Sequence, residues 1–267
     1  MPELTRRIRV TDIVQKKARG EKFAMLTAYD ATMARLLERA GIEILLVGDS
    51  LGMVVMGEET TIPVTVEAMI HHTRAVTRGA RKALVVADMP FLSYQASVAE
   101  AVRTARRLIQ EGGAAAVKME GGQAVTKAVR RLGEIGIPVM GHLGLTPQSV
   151  HKLGGYRRQA TAEADAGRLL DDARELAEAG AFSIVLESIP AEVARQVTAA
   201  LTIPTIGIGA GPHCDGQVLV SYDAFGLFDE FVPPFVKQYA NLGEQLVEAA
   251  ERYAVEVREG VFPPEKR

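Results

Sequence analysis

The chain of 267 residues has one cysteine, no tryptophan and only 5% aromatic residues. With Cys214 alone, neither an intrachain disulfide nor a thiolate metal cluster can form, and a reducing cytoplasm is the expected compartment. A strong charge of either sign is also missing: the formal net charge is −2, so nothing points to nucleic acid or an anionic membrane surface as partner. Nowhere do about 18 consecutive apolar residues occur, the length a membrane-spanning helix needs. The opening MPELTRRIRV has no apolar run of signal-peptide length, so the chain is expected to be mature and soluble. No GxGxxG follows the first strand, and no GxxxxGK[ST] occurs, which leaves dinucleotide and P-loop readings without support. There is no zinc or histidine-rich pattern, low-complexity tract or linker. What remains is a composition of 48% hydrophobic and 24% charged residues, that of a globular protein with a sizeable core.

Four segments share one design: ARLLERAGIEILLVGDS, TARRLIQEGGAAAVKMEGG, AVRRLGEIGIPVMGHLG and DARELAEAGAFSIVLES. Each reads as an amphipathic helix ending at a glycine, then a short strand rich in branched residues, then a polar group. Ser97 and Glu100 in SVAE form a capping box ahead of one such helix, whose apolar stripe is Val98, Ala101, Val102, Ala105, Leu108 and Ile109. MIHHTRAV reads as a helix whose histidines, His71 and His72, serve packing or the helix surface. Further strands are expected near 23 to 28, 83 to 88, 204 to 209 and 217 to 221, which makes eight. Alternating helices and strands imply a parallel sheet, and eight strands favour a closed (β/α)8 barrel over a doubly wound sheet. AGPHCDG is too short for a helix between the last two strands, and Cys214 is expected in a polar loop there. Residues 1–22 are expected to hold an extra N-terminal helix (TDIVQKKAR), and residues 238–258 a long amphipathic closing helix, in one domain over 1–267.

AAAVKMEGG raises the question of function. Lys118 and Glu120 point to one face of a strand with an apolar body, and an unpaired buried charge costs several kcal/mol. The other strand ends supply the partners: Tyr29 and Asp30, Asp49 and Ser50, Asp88, His142, then Glu187 and Ser188. In a closed parallel barrel these ends share the C-terminal mouth, where catalytic groups sit. Carboxylates gathered there repel one another unless a cation or shared proton compensates them. All-oxygen ligation suits Mg²⁺, with Asp49 and Asp88 as direct ligands and Glu120 binding directly or through a water. Capping of the following helix is the competing role for each aspartate.

Lys118 has three readings: a Schiff base, a protonated group holding a carboxylate or enolate oxygen, or a structural partner of Glu120. The surrounding carboxylates favour the protonated form. Glu187 follows the apolar SIVL, a setting that raises the pKa of a general base. GIGAG, residues 207 to 211, stands where barrels often bind phosphate, although a glycine-rich turn is also only a tight turn.

In order and in spacing, LTAYDATMARLL, LLVGDSLGMVVMG, ADMPFLSY, VKMEGG, GHLGLTPQS, VLESIP, IPTIGIGAG and DGQVLV with DAFGL resemble the ketopantoate hydroxymethyltransferases. The resemblance runs from about Phe23 to Phe262. It implies a TIM barrel of the phosphoenolpyruvate/pyruvate type. The implied reaction moves a hydroxymethyl group from 5,10-methylenetetrahydrofolate to the 2-oxoacid 3-methyl-2-oxobutanoate, giving 2-dehydropantoate for pantothenate and coenzyme A synthesis. By the same resemblance, Asp49, Asp88 and Glu120 hold Mg²⁺, Asp49, Ser50, Asp88 and Lys118 bind substrate, and Glu187 is the catalytic base. Tyr29, His142 and Ser188 are expected around them. A cytoplasmic homo-oligomer, commonly a decamer, is implied as well. After GGY the family usually carries V-Q-G, whereas this chain has Arg157 to Thr161, RRQAT, a loop expected at the folate or at a neighbouring subunit. The competing readings are a Mg²⁺-dependent lyase or mutase that turns over without folate, a Schiff-base aldolase, and a catalytically silent scaffold.

Overall fold

The computed structural model describes residues 6–264, so the expectations for residues 1–5 and 265–267 lie outside the described residues. The chain divides into two compact units, 1–219 and 220–267.

In the first unit eight strands form a closed parallel barrel in sequence order. They are β1 (Phe23–Thr27), β2 (Ile44–Val47), β3 (Leu84–Asp88), β4 (Ala116–Glu120), β5 (Val139–Gly144), β6 (Ser183–Glu187), β7 (Thr205–Ile208) and β8 (Gly216–Leu219), with β8 closing on β1. The helices are α1 (Val10–Ala18), α2 (Ala31–Arg39), α3 (Leu51–Val54), α4 (Val66–Gly79), α5 (Val98–Gln110), α6 (Thr126–Glu134), α7 (Val150–Leu153), α8 (Glu163–Glu178) and α9 (Ala191–Ala200). The glycines expected to end four of them, Gly41, Gly113, Gly136 and Gly180, all have positive φ, which a side chain would make costly. Ser97 accepts from the Glu100 backbone N–H at 3.2 Å, the first half of the expected capping box. No helix lies between β7 and β8, as the short spacing requires.

The barrel interior follows from the two-residue period of a strand. Phe23 and Met25, Ile44 and Leu46, Leu84 and Val86, Ala116, Met140, Val185, Ile206 and Val218 form one buried apolar cluster. Ile13 of α1 joins that cluster with no exposure, so α1 packs on the end of the barrel where the strands begin. Lys17 fastens it there, donating to the Thr198 carbonyl and to Asp215, both at 2.8 Å. Cys214 lies in the loop between β7 and β8, as expected, and is buried there.

The second unit contains α10 (Ser221–Ala224) and α11 (Leu242–Arg258). α11 begins four residues later than the sequence pattern implied. Residues 238–241 are held away from helix because the amides of Tyr239, Leu242 and Gly243 donate to the carbonyls of Ala224, Phe225 and Gly226. At its other end Tyr253 meets Phe262 edge to face, with ring centroids 5.6 Å apart.

Candidate active site

The period that buries the apolar layers also carries charges into the barrel. On β3 the inward series is Leu84, Val86, Asp88; on β4, Ala116, Lys118, Glu120; on β5, Met140, His142; on β6, Val185, Glu187. Strand register then sets Asp88 beside Lys118, and Glu120 beside His142. Lys118 Nζ lies 3.0 Å from Asp88 Oδ1 and 4.0 Å from Glu120 Oε1. His142 bridges two acids: Nδ1 is 3.2 Å from Glu120 Oε1, and Nε2 is 3.0 Å from Glu187 Oε2. Asp49 follows β2, and its backbone N–H donates to Asp88 Oδ2 at 3.0 Å. Thus Asp49, Asp88, Lys118, Glu120, His142 and Glu187 form one group, and five of them are at most 6% exposed. Glu187 is the more open member, with 15% of its side chain exposed.

Burial in such company decides the charges. Burial pushes Asp49 well above the usual carboxylate range, with Asp88 and Glu120 adding to the effect, because a third negative charge has too little compensation. Asp88 is raised by burial and held back by Lys118. Glu120 is lowered: burial works against its ionised form, but the hydrogen bond and charge of His142 outweigh it. Lys118 loses by burial and gains more from Asp88, Glu120 and Asp49, so its net shift is upward and it stays an ammonium. For His142, burial and Lys118, whose Nζ lies 3.1 Å from Nδ1, press downward, yet Glu120 and Glu187 raise it to about 9. Asp49, Asp88, Glu120 and Glu187 thus face Lys118 and His142 across one end of the barrel.

The donor atoms fit a divalent ion. Asp88 Oδ1 and Glu120 Oε1 are buried oxygens whose partners are Lys118 at 3.0 Å and His142 at 3.2 Å, whereas the second oxygen of each acid is tied to a backbone N–H. Asp49 likewise has Oδ2 tied, to the side-chain amide of Gln148 at 2.8 Å. Hard oxygens at strand ends suit Mg²⁺, which takes few protein ligands and keeps water or substrate oxygens in its other positions. Among the described residues no three or more His, Cys, Asp or Glu side chains are arranged so that together they could hold a metal ion, so the fit rests on the chemistry of the donor set.

Other sequence expectations divide. Tyr29 Oη and Ser50 Oγ lie 2.9 Å apart, and His72 Nδ1 is 2.7 Å from the Tyr29 carbonyl oxygen, so His72 packs behind the site. Asp30 belongs with the helix caps, accepting from the amides of Thr32 and Met33. Ser188 adopts φ 49, its N–H donates to the Ile208 carbonyl, and its own carbonyl accepts from Gln159 in the RRQAT loop. Gln148 and Tyr94 escaped the sequence reading. Both fall inside blocks that carried the family resemblance, GHLGLTPQS and ADMPFLSY, but uncharged residues in loops give no strand-end signal.

Comparison with known proteins follows the same residues. The family model described as ketopantoate hydroxymethyltransferase matches residues 7–265. A protein of Moorella thermoacetica named 3-methyl-2-oxobutanoate hydroxymethyltransferase is 59% identical over 97% of both chains. One of the same name from Syntrophus aciditrophicus is 57% identical, covering 97% of this chain and 95% of its own. Among solved structures, 2,3-dimethylmalate lyase, a PEP mutase/isocitrate lyase superfamily member, superposes with TM-score 0.60 at 18% identity, covering 97% of this chain and 90% of that one. Phosphonopyruvate hydrolase in complex with oxalate and Mg²⁺ gives TM-score 0.61 at 12% identity, with 95% and 88% covered. At those identities the structural likeness shows the fold.

Proposed function

The chain belongs to the ketopantoate hydroxymethyltransferase family, and on that premise we propose how the mouth of its barrel carries out the family's reaction. The enzyme transfers a hydroxymethyl group to 3-methyl-2-oxobutanoate and makes 2-dehydropantoate in pantothenate biosynthesis. 5,10-Methylenetetrahydrofolate donates the one-carbon unit, water supplies the hydroxyl oxygen, and tetrahydrofolate leaves. The observation that supports the site assignment is the chain of close contacts at the strand ends, in which Asp88 pairs with Lys118, His142 bridges Glu120 and Glu187, and the Asp49 N–H donates to Asp88.

Glu187 is the base that removes the proton from carbon 3 of the oxoacid. It suits the task because it is the most accessible of the buried acids and its carboxylate is aimed by His142, 3.0 Å away. Lys118, kept protonated by its neighbours, and Ser50 bind the substrate carboxylate and offset the negative charge that develops as the proton leaves. Asp49, Asp88 and Glu120 would hold Mg²⁺, with Asp49 and Asp88 also bordering the substrate. When bound, the ion supplies Lewis-acid polarisation of the 2-oxo group and so acidifies the neighbouring C–H. Carbon 3 then attacks the methylene unit of the folate. A protonated Lys118 is a poor Schiff-base nucleophile, which disfavours the aldolase reading. Family membership further supports a cytoplasmic homo-oligomer, as large as a decamer, a size that sedimentation velocity measures.

Proton NMR of 3-methyl-2-oxobutanoate in D₂O tests the site. Wild-type protein with Mg²⁺ is expected to erase the carbon 3 proton signal, and EDTA to prevent it. Glu187→Gln is expected to slow that exchange at least about 100-fold, the scale of a lost general base, while oxoacid still binds in isothermal titration. A Glu187→Gln protein that exchanges at the wild-type rate would remove Glu187 as the base.

A further inference from the structure

Gln148 stands in the short turn 147–149 after β5, and its side chain is 4% exposed. A buried primary amide has two N–H donors and two acceptor lone pairs, and each one left unmet costs free energy. Here all four are met. Nε2 donates to Asp49 Oδ2 at 2.8 Å and to the Met89 carbonyl at 2.9 Å. Oε1 accepts from Tyr94 Oη at 2.8 Å and from Gln95 Nε2 at 3.0 Å. The amide cannot turn over, because its oxygen would then face a carboxylate and a carbonyl, both acceptors. The same residue reaches a second acid: its backbone N–H donates to Glu120 Oε2 at 3.0 Å. Tyr94 in turn locks the strand that carries this acid, its hydroxyl accepting from the Glu120 backbone N–H at 3.0 Å.

We propose that Gln148, locked by Tyr94, is a positioning residue that holds one oxygen of Asp49 and one of Glu120 so that the other oxygen of each is presented to the divalent cation. This rests on the metal reading above. One residue takes one oxygen of an acid after β2 and one oxygen of an acid on β4, two carboxylates from elements that are not neighbours in the barrel. Each carboxylate can turn about its last bond, so fixing one oxygen fixes the direction of the other. Neutrality is what the position requires. A lysine or arginine could donate to Asp49 and the Met89 carbonyl but could not accept from Tyr94 and Gln95, and would bring a positive charge that competes with the cation; a glutamate would place another acceptor against Asp49. A glutamine orients the acids and leaves their charge for the metal.

The test uses the full-length protein stripped with EDTA and titrated with Mn²⁺ as the probe, read by the EPR signal of the free ion. Wild type, Gln148→Met, Tyr94→Phe and Asp88→Asn are compared, each also by thermal melting without metal. Gln148→Met keeps the length and the backbone N–H to Glu120 but loses the four side-chain hydrogen bonds, the one to Asp49 among them; Tyr94→Phe, the milder change, keeps the amide and removes its lock, together with the bond to the Glu120 backbone N–H. Loss of orienting partners of metal ligands typically costs about 10–100-fold in metal affinity. Gln148→Met is therefore expected to weaken Mn²⁺ binding by that amount and to broaden the bound-ion spectrum, and Tyr94→Phe to weaken it less. Variants that melt lower yet bind Mn²⁺ as tightly as wild type would overturn the proposal and make Gln148 a packing residue. In that outcome Asp88→Asn, still losing affinity, would keep the metal reading intact. A wild-type protein that binds no Mn²⁺ would overturn both.

Discussion

Lys118 shows how a single residue answers for several. A buried ammonium alone would cost several kcal/mol, so it persists because Asp88 at 3.0 Å and Glu120 at 4.0 Å surround it. The acids depend on it equally. Lys118→Met is expected to raise the KM for the oxoacid by about 10–100-fold, the worth of a hydrogen bond to a charged group, as steady-state kinetics will read. It also carries a signature in pH. Asp49 and Asp88 are already raised by burial, and loss of the cation raises them further. A carboxyl that holds its proton more tightly folded than unfolded supports the fold at low pH. That support is lost progressively as pH rises from about 4, where the unfolded chain ionises, through the raised folded value. Denaturant unfolding should therefore show Lys118→Met destabilised more at pH 8 than at pH 4; an equal loss at both would mean the lysine does not compensate these acids.

Elements place residues through backbone constraints that no side chain announces. β5 ends at Gly144 with φ 91, and a methyl group there would collide with the Glu187 carbonyl oxygen and come within 2.8 Å of Ile189. Gly144 also pairs in register with Glu187, so the end of β6 is braced against it. Gly144→Ala is expected to lower kcat about 100-fold by displacing the base about 1 Å. Ile13→Ala, in α1 at the opposite end of the barrel, provides the contrast. It removes a fully buried side chain and should cost about 2–4 kcal/mol in unfolding free energy, with kcat of the folded protein unchanged. If both variants lost stability and neither lost kcat, the bracing role of Gly144 would fail.

At the scale of the whole molecule, closing the barrel concentrates charge. Strands far apart in sequence deliver four acids, Lys118 and His142 to one end, and on the metal reading proposed above that end takes a divalent ion. Mg²⁺ at about 100 times its dissociation constant is expected to stabilise the protein by about 2.7 kcal/mol. Thermal melting with and without EDTA measures it, and Asp88→Asn should abolish the difference. The same closure explains the reach of sequence reasoning. Strand parity put Lys118 and Glu120 on one face, and position at a strand end marked Asp49, Asp88, His142 and Glu187, because both are local properties of the chain. Asp30 carried the same strand-end signal and became a helix cap, since only the third dimension shows whether an acid turns inward or toward the next helix.

The sequence by itself determined the eight strands, four of them behind a glycine-ended helix, the parallel barrel and the charged strand ends, because propensity and periodicity are written within a few residues. Tertiary structure decided what those ends do to one another. That Lys118 pairs with Asp88 more closely than with Glu120, that His142 bridges Glu120 and Glu187, and that Gln148 ties Asp49 to Glu120 are consequences of register and closure. Gln148 lies 99 residues from Asp49 and carries no charge, so only closure of the barrel brings its amide to that carboxylate.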